Sequence, residues 1–406
     1  MIGQPYTNRE QDYEPLARDA GAIEAIGARR PVVAVVHNHP IHYKELLFTQ
    51  LVKLGIDLRV LYLGNSSIIR PGYRFMGGGK YTYTFASPRP YEHVSPRVQT
   101  VFVWRQLNRI RPDVVIYGGY CDAGVWAALA WARLRGTPGL IWAETNKQDN
   151  PRVWWKERLK RSFLARCNGA HVYGESCRSY FQELGMSRER ITIKRAVVNL
   201  SIFPLVPRSW SDHQRVGIYV GRLAPEKNLE RLLQAFITAH ESSWGRALKL
   251  IVVGSGPLKD KLEQLLAKHR AKDLVEFAGE VPQEALSRQY GRADFFVLPS
   301  LREPYGLVTI EAMATGLPVA VSNRCGCVPD VVTPETGWCF DPIDPGSIQQ
   351  TLRSVCATPS CKLAEMGARA HELALQYSPE LCARRVAVSL ARVLDIAQGA
   401  AQEAAI

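Results

Sequence analysis

The sequence predicts an α/β protein made of two doubly wound halves. Three observations predict it. From Pro31 onward, strand-like apolar runs alternate with amphipathic helical stretches. The alternation pauses once, across Phe203–Asp212, where two prolines break any periodicity, and then restarts. The chain has 406 residues, more than one ordinary core accommodates. Strands that alternate with helices build a mainly parallel sheet with helices on both faces. Ligands of such sheets sit at the carboxyl ends of the strands, so two facing sheets place the expected site in the cleft between them.

Residues 1–30 are polar and weakly periodic, and read as a loose arm. A first domain is expected over 31–205. Val32–Val36 reads as a buried strand, Tyr43–Leu54 as an amphipathic helix and Leu58–Leu63 as the next strand. Residues 64–95, rich in Gly, Pro and Tyr, read as a long loop or a small hairpin insertion. Helix Val98–Asn108, strand Asp113–Tyr117, helix Ala123–Arg135 and strand Leu140–Ala143 follow. Then come a basic helix Val153–Arg166, strand Ala170–Tyr173 and helix Ser176–Leu184. After the linker a second domain is expected over 206–375. Its strands are Val216–Val220, Lys249–Val253, Val275–Phe277, Phe295–Leu298 and Pro318–Val321. Its helices are Leu229–His240, Leu258–Lys268 and Leu307–Thr315. Residues 376–406 are expected to be helical and to pack back toward the first domain.

Charge is unevenly placed. The net charge is +13, and residues 1–205 hold 29 Lys and Arg against 16 acids. The whole excess therefore lies in the first half, which argues for an anionic partner there. The start is polar and acidic, unlike a signal peptide. The longest apolar run, Ala123–Leu134, is interrupted and too short for a membrane span. The expected location is the cytoplasm. The nine cysteines are dispersed, and only Cys325-Gly-Cys327 is a close pair, with no second pair or nearby His to make a zinc site. Reduced thiols and no metal are expected.

The second half carries glycine loops at successive strand ends. Gly221-Arg-Leu-Ala-Pro-Glu-Lys227 brings Arg222 and Lys227 to one strand end, where two cations suit a diphosphate; ordinary surface charge is the competing reading. Gly254-Ser-Gly256 lets backbone approach a ligand, and a plain turn competes. The loop Phe277-Ala-Gly-Glu-Val281-Pro282 offers a slot for a flat base, or again a turn. Arg302-Glu-Pro-Tyr-Gly-Leu-Val-Thr-Ile-Glu311 is the richest stretch. It sets Glu303 and Glu311 on either side of Gly306, where a helix begins. A helix N-terminus binds phosphate, and flanking carboxylates grip hydroxyls. Ile310, Ala312, Met313 and Ala314 make an apolar setting in which Glu311 needs a partner. Phosphate with hydroxyls describes a nucleotide sugar. No full dinucleotide fingerprint is present.

In this order and spacing, these motifs resemble the retaining glycosyltransferases of family 4, from about Pro31 to the end and most strongly over 216–342. The resemblance implies the GT-B fold, two facing Rossmann-like domains with an interdomain cleft. It implies that Arg222 and Lys227 hold the donor diphosphate and that Glu303 touches the donor sugar. Backbone N–H groups of Tyr305, Gly306, Leu307 and Val308 would cradle sugar and phosphates, and Glu311 would bind the ribose. Where many members have a Gly-Gly loop, this chain has His37-Asn-His-Pro-Ile-His-Tyr-Lys44. That, with Gly118-Gly-Tyr120, Trp126 and Glu144-Thr-Asn146, looks like a subgroup common in surface-polysaccharide clusters. Glu144 and His39 are the acceptor-side catalytic candidates.

The expected activity is transfer of a sugar from a nucleotide-sugar donor, a UDP-sugar first, to a hydroxyl in glycan or glycolipid assembly. The donor is a substrate; no cofactor is expected. A soluble small-molecule acceptor, a GT-B epimerase or phosphorylase, and a silent nucleotide-sugar-binding partner are the alternatives. The helix Val153–Arg166 interleaves Trp154, Trp155 and Phe163 with five cations, a pattern that suits an anionic bilayer; a packing helix with a solvated basic face competes. No recognition motif supports nucleic acid.

Overall fold

The structure is a computed structural model. It describes residues 20–68, 80–149, 151–242, 244 and 248–403, with side chains described to 394. Its first half is a seven-stranded parallel sheet: β1 (Val32–His37), β2 (Asp57–Tyr62), β3 (Thr82–Phe85), β4 (Val114–Tyr117), β5 (Gly139–Ala143), β6 (Gly169–Val172) and β7 (Ile191–Ile193), in the order β3-β2-β1-β4-β5-β6-β7. The second half is a six-stranded parallel sheet: β8 (Arg215–Val220), β9 (Leu248–Val253), β10 (Val275–Gly279), β11 (Phe295–Leu298), β12 (Val319–Ser322) and β13 (Gly337–Phe340), in the order β10-β9-β8-β11-β12-β13. The central strands are continuous Val, Ile, Leu and Phe runs because helices cover both of their faces.

Strand order reverses between β1 and β4 in one sheet and between β8 and β11 in the other. These are the topological switch points at which ligand crevices open. The loops leaving them are 38–41, 118–122, 221–228 and 299–306, so the sequence motifs fall where the topology leaves space.

Three readings are changed by the structure, and a fourth is sharpened. Ala20–Arg29 is a helix, not part of a loose arm; Ile26 is buried as it packs on the long helix Pro379–Glu403. Residues 1–19 of the arm lie outside the described residues. In the 64–95 segment, read as a long loop or a small hairpin, Thr82–Phe85 is a strand that pairs in parallel with β2 at the sheet edge; 69–79 lie outside the described residues. Two short strands, β7 and β13, and the helix Gln283–Tyr290 were not expected. The linker is pinned, since the Arg208 guanidinium donates to the backbone oxygens of Thr315, Ala293 and Tyr290.

The helix Pro379–Glu403 lies against Ala20–Arg29, His42–Lys53 and β7. Gln50 donates to Glu380 at 2.8 Å, and Thr192 to Ser389 at 3.2 Å. The apolar core runs unbroken from one half to the other, through Tyr173, Tyr305 and Tyr377. A second core cluster fills the other face of the first sheet.

Candidate active site

At the end of β8, Tyr219 donates to the carbonyl of Arg222 at 2.8 Å and shapes the loop. Arg222 points outward, with a side chain 70% exposed, and pairs with Glu226 at 2.5 Å. Lys227 is turned inward and meets Glu303 at 2.5 Å across the switch point. The two predicted cations are thus not equivalent: Lys227 is enclosed beside the donor-loop carboxylate, and Arg222 is at the rim.

Gly254 follows β9 at φ +128°, and a Cβ there would lie 2.1 Å from the Gly221 carbonyl. The two predicted loops touch because residue 254 has no side chain. Gly256 packs as closely on Leu223, and Val281, beyond β10, is half-buried against the core. Gly306, at φ +101°, turns the chain into the helix Leu307–Ala314, where no side chain caps the N-terminus. The first N–H groups of this helix, in Leu307 and Val308, have no partner within the helix and are available to an anion. Tyr305 is buried: its hydroxyl meets Tyr377 at 2.9 Å and Asp330 at 3.4 Å, and its ring packs edge-on to Tyr173. Its side chain therefore belongs to the contact between halves, and only its backbone can serve a donor.

Glu311 is buried on that helix, as its apolar neighbours require. Its carboxyl is pushed up to about 7 by burial, offset only in part by the Tyr290 hydroxyl at 3.3 Å. A carboxylate held this way gains when hydroxyl groups come to donate to it.

The first half contributes a cavity of about 390 Å³, lined by His37, His39, Lys44, Tyr91 and Glu144 and closed by Pro304 of the second half. Both acceptor-side candidates therefore share a chamber with Pro304. Glu144 meets Lys44 at 2.7 Å, the Tyr173 hydroxyl at 2.7 Å and the Tyr43 hydroxyl at 3.3 Å. Burial alone would raise its pKa, but the charge and hydrogen bond of Lys44, with the Tyr173 bond and the Lys194 charge, outweigh it. The carboxyl is held at about 2. Lys44 also donates to His37 Nε2 at 2.7 Å, and burial, with the Lys44 charge next, keeps His37 neutral. His39 is buried, its ring stacked 5.5 Å from Tyr91. Its Nδ1 faces the Pro40 carbonyl at 2.8 Å, which fixes the proton on Nδ1 and leaves the lone pair on Nε2.

The halves also bond directly. Asn146 Nδ2 donates to the Pro304 carbonyl at 2.9 Å and to the Glu303 carbonyl at 3.2 Å. The Glu175 N–H donates to Asp330 at 3.0 Å. Among the described residues no group of three His, Cys, Asp or Glu side chains is arranged for a metal ion.

Residues 207–372 match the family described as glycosyl transferases group 1. This stretch is a group 1 glycosyltransferase domain. It contains every strand-end loop of the second half described above. Among curated proteins, the glycogen synthase of Mycobacterium tuberculosis is 32% identical over 186 residues, 46% of this chain and 44% of its own. The putative colanic acid biosynthesis glycosyltransferase WcaL of Escherichia coli is 28% identical over 197 residues, 47% of this chain and 48% of its own. The chain thus spans about half the length of either relative. Among solved structures, Anabaena HepE in complex with UDP superposes with a TM-score of 0.72 at 15% identity, covering 89% of this chain and 99% of that one. The glycosyltransferase domain and the half preceding it together make the GT-B fold.

Sequence reasoning singled out the strand-end loops of the second half but not Asn146, Tyr173 and Asp330, which meet the other half directly. Asn146 was visible only as part of Glu144-Thr-Asn, and Lys44 only as part of His-Tyr-Lys. Each acts on a partner about a hundred residues or more away, or on a backbone carbonyl, so no spacing betrays it.

Proposed function

We propose that this protein is a retaining, family 4 glycosyltransferase that moves a sugar from a UDP-sugar to a hydroxyl acceptor in glycan or glycolipid assembly. One observation carries the reading: Lys227 and Glu303 meet beside the open start of the helix Leu307–Ala314, which holds Glu311 about one turn on. A diphosphate needs the cation and the free N–H groups, and a ribose or hexose needs the carboxylates. Arg222, at the rim, adds a second positive charge. Solved HepE complexes with UDP and with UDP-glucose support UDP as the nucleotide.

In the reaction the bond from the anomeric carbon to the diphosphate oxygen breaks. A bond to the acceptor oxygen forms on the same face, and the acceptor proton passes to the departing phosphate oxygen. Lys227, Arg222 and the helix start stabilise the charge that develops on the leaving group. Glu303 orients the sugar hydroxyls. Glu144, held ionised, is too weak a base to take the acceptor proton at neutral pH, but accepts a hydrogen bond from an acceptor hydroxyl. His39 is a second polar group lining the same cavity. Closure of the two halves excludes water and limits hydrolysis.

The helix Trp154–Ala165 supports a membrane-bound acceptor. Trp154, Trp155 and Leu159 are 73%, 48% and 49% exposed, on a face shared with Arg158 and Arg161. Such a face suits an anionic bilayer at the cytoplasmic side of a membrane. No helix among the described residues is long and apolar enough to cross one.

A thermal-shift screen of UDP, GDP, ADP and their common sugars tests the core of the reading. UDP should raise the melting temperature more than GDP or ADP; if no nucleotide shifted it, the donor site would have to be abandoned. Sedimentation with phosphatidylglycerol vesicles tests the membrane contact, and equal recovery with phosphatidylcholine alone would refute it.

A further inference from the structure

The segment 144–149 is built as a strap before it reaches the other half. Thr145 donates to Asp149 at 2.6 Å, and the Asn146 N–H to the same carboxylate at 3.2 Å. Arg152 then ties the strap from outside. Its guanidinium donates to the Lys147 carbonyl at 2.8 Å, to the Asn146 carbonyl and to the Tyr180 hydroxyl, and lies 4.2 Å over the Tyr180 ring. Every one of these partners belongs to the first half.

Two side chains of this strap point at the chemistry. Glu144 is fixed in the acceptor chamber by Lys44 and Tyr173. Two residues on, Asn146 crosses the cleft. Its Nδ2 donates to the carbonyls of Glu303 and Pro304, and its Oδ1 accepts from the Gln148 N–H at 2.8 Å. Both ends of the amide are engaged, which settles its orientation. Asn146 is 4% exposed, so water does not compete for these bonds.

The receiving loop is shaped for it. The Glu303 carbonyl also accepts from the Gly326 N–H at 3.1 Å, and the Tyr305 carbonyl from Cys327 N–H at 2.9 Å. A Cβ at Gly326 would lie 2.0 Å from the Pro304 oxygen and 3.0 Å from Asn146 Nδ2. Only glycine there allows the three segments to meet. The carbonyls gripped belong to the residue whose carboxylate meets Lys227 and to its successor. Three residues on from Glu303, Gly306 opens the helix.

We infer that Asn146 is a positioning residue for glycosyl transfer. From the first half it sets the register of residues 303 and 304, so the Glu303 carboxylate takes its working geometry toward the sugar only when the halves are closed. The same strap fixes Glu144, so donor loop and acceptor wall are aligned by one rigid piece. This rests on the donor reading above. A small misplacement of reacting groups costs on the order of a hundredfold in rate. UDP itself, held by the second half, should hardly sense the change.

The test is Asn146→Asp, which keeps shape and removes the donor, with Asn146→Ser as a variant that keeps a shorter one. UDP affinity is measured by calorimetry. Turnover is followed as UDP release from the best of UDP-glucose, UDP-galactose and UDP-N-acetylglucosamine. Amide exchange is followed over 144–150 and 303–327 without ligand. For Asn146→Asp we expect turnover reduced on the order of tenfold to a hundredfold, UDP affinity within about threefold of the parent, and faster exchange in both peptides, with Asn146→Ser intermediate. Unchanged turnover and exchange would overturn the inference. Loss of UDP affinity in step with turnover would also overturn it, because Asn146 would then be supporting the nucleotide pocket. If the unmodified protein neither bound UDP nor released it, the donor reading would fail. The ligand-free exchange comparison would still decide whether the strap holds the loop.

Discussion

Glu144 stands among Lys44, Tyr173 and Tyr43, with Lys194 behind them; Glu311 stands on an apolar helix with one tyrosine hydroxyl. They belong to the two halves of the molecule, and their pKa values lie at about 2 and about 7. The contrast follows from partners rather than depth. Where cations and donors are built in, the charge is satisfied before any ligand arrives; where they are missing, burial dominates. The first half thus offers a finished, pre-aligned wall. The second offers a carboxyl held by a single tyrosine hydroxyl and a helix start that no side chain caps, the two features on which the donor-site proposal rests.

The most damaging way to probe this difference is at the donor wall. Lys227→Ala removes the enclosed cation that the proposed mechanism sets beside the leaving group. Loss of a single preorganised group of this type costs about a hundred- to a thousandfold in kcat. Steady-state UDP release from the preferred UDP-sugar measures it, and a change under threefold would show that Lys227 serves only Glu303. The acceptor wall should fail differently. Lys44→Met leaves Glu144 without its principal counter-charge and His37 without its donor, which should destabilise the fold by about 3 kcal/mol. Urea unfolding checks this. The double variant Lys44→Met/Glu144→Gln should regain much of the loss, because the uncompensated charge is gone; if the two changes simply added, the pair would not be coupled.

The central strands were legible because a parallel strand covered on both faces has to be apolar throughout, as in Val32–Val36 and Phe295–Leu298. The edges were not. Thr82–Phe85 is largely exposed, β7 has three residues, and β13 is Gly-Trp-Cys-Phe, so none carries a run to read. The helix Ala20–Arg29 exists because Pro379–Glu403 lies beside it, a contact no local pattern announces. In the site, loops that need glycine at a strand end announce themselves, and so do cations within them. The division of labour between Arg222 and Lys227 does not, since it depends on Glu226 lying four residues after one and Glu303 reaching the other from a different loop.

A gentler probe uses pH. The Glu311 carboxyl is raised from 4.5 to about 7 in the fold. Between these values the native state keeps a proton that the unfolded chain has released, so this group's contribution falls as pH rises from 4.5 to 7 and is level above. Its size is about 3 kcal/mol. Glu311→Gln should remove that slope from the stability profile measured by urea unfolding at several pH values. UDP binding should also release protons near pH 6.5, seen as a dependence of calorimetric heat on buffer ionisation. Equal slopes in variant and parent would mean that Glu311 is solvated after all. Glu144 runs the opposite way: its depressed value gives stability that is present above about 4.5 and lost as pH falls toward 2.

The smallest effect belongs to Arg222, and it separates a rim charge from an enclosed one. With 70% of its side chain exposed and only Glu226 as partner, Arg222→Ala should change stability by no more than about 0.5 kcal/mol. Its contribution to the donor comes through long-range attraction of a diphosphate, so it should be screened by salt over roughly 8 Å at physiological ionic strength. The variant should therefore show a raised KM for the UDP-sugar at low salt that converges on the parent's as salt increases, with kcat reduced far less than in Lys227→Ala. Steady-state kinetics from 20 mM to about 500 mM NaCl read this directly. A kcat loss as deep as that of Lys227→Ala, independent of salt, would mean that Arg222 swings inward onto the diphosphate when the donor binds. The two cations of this loop would then act as one clamp.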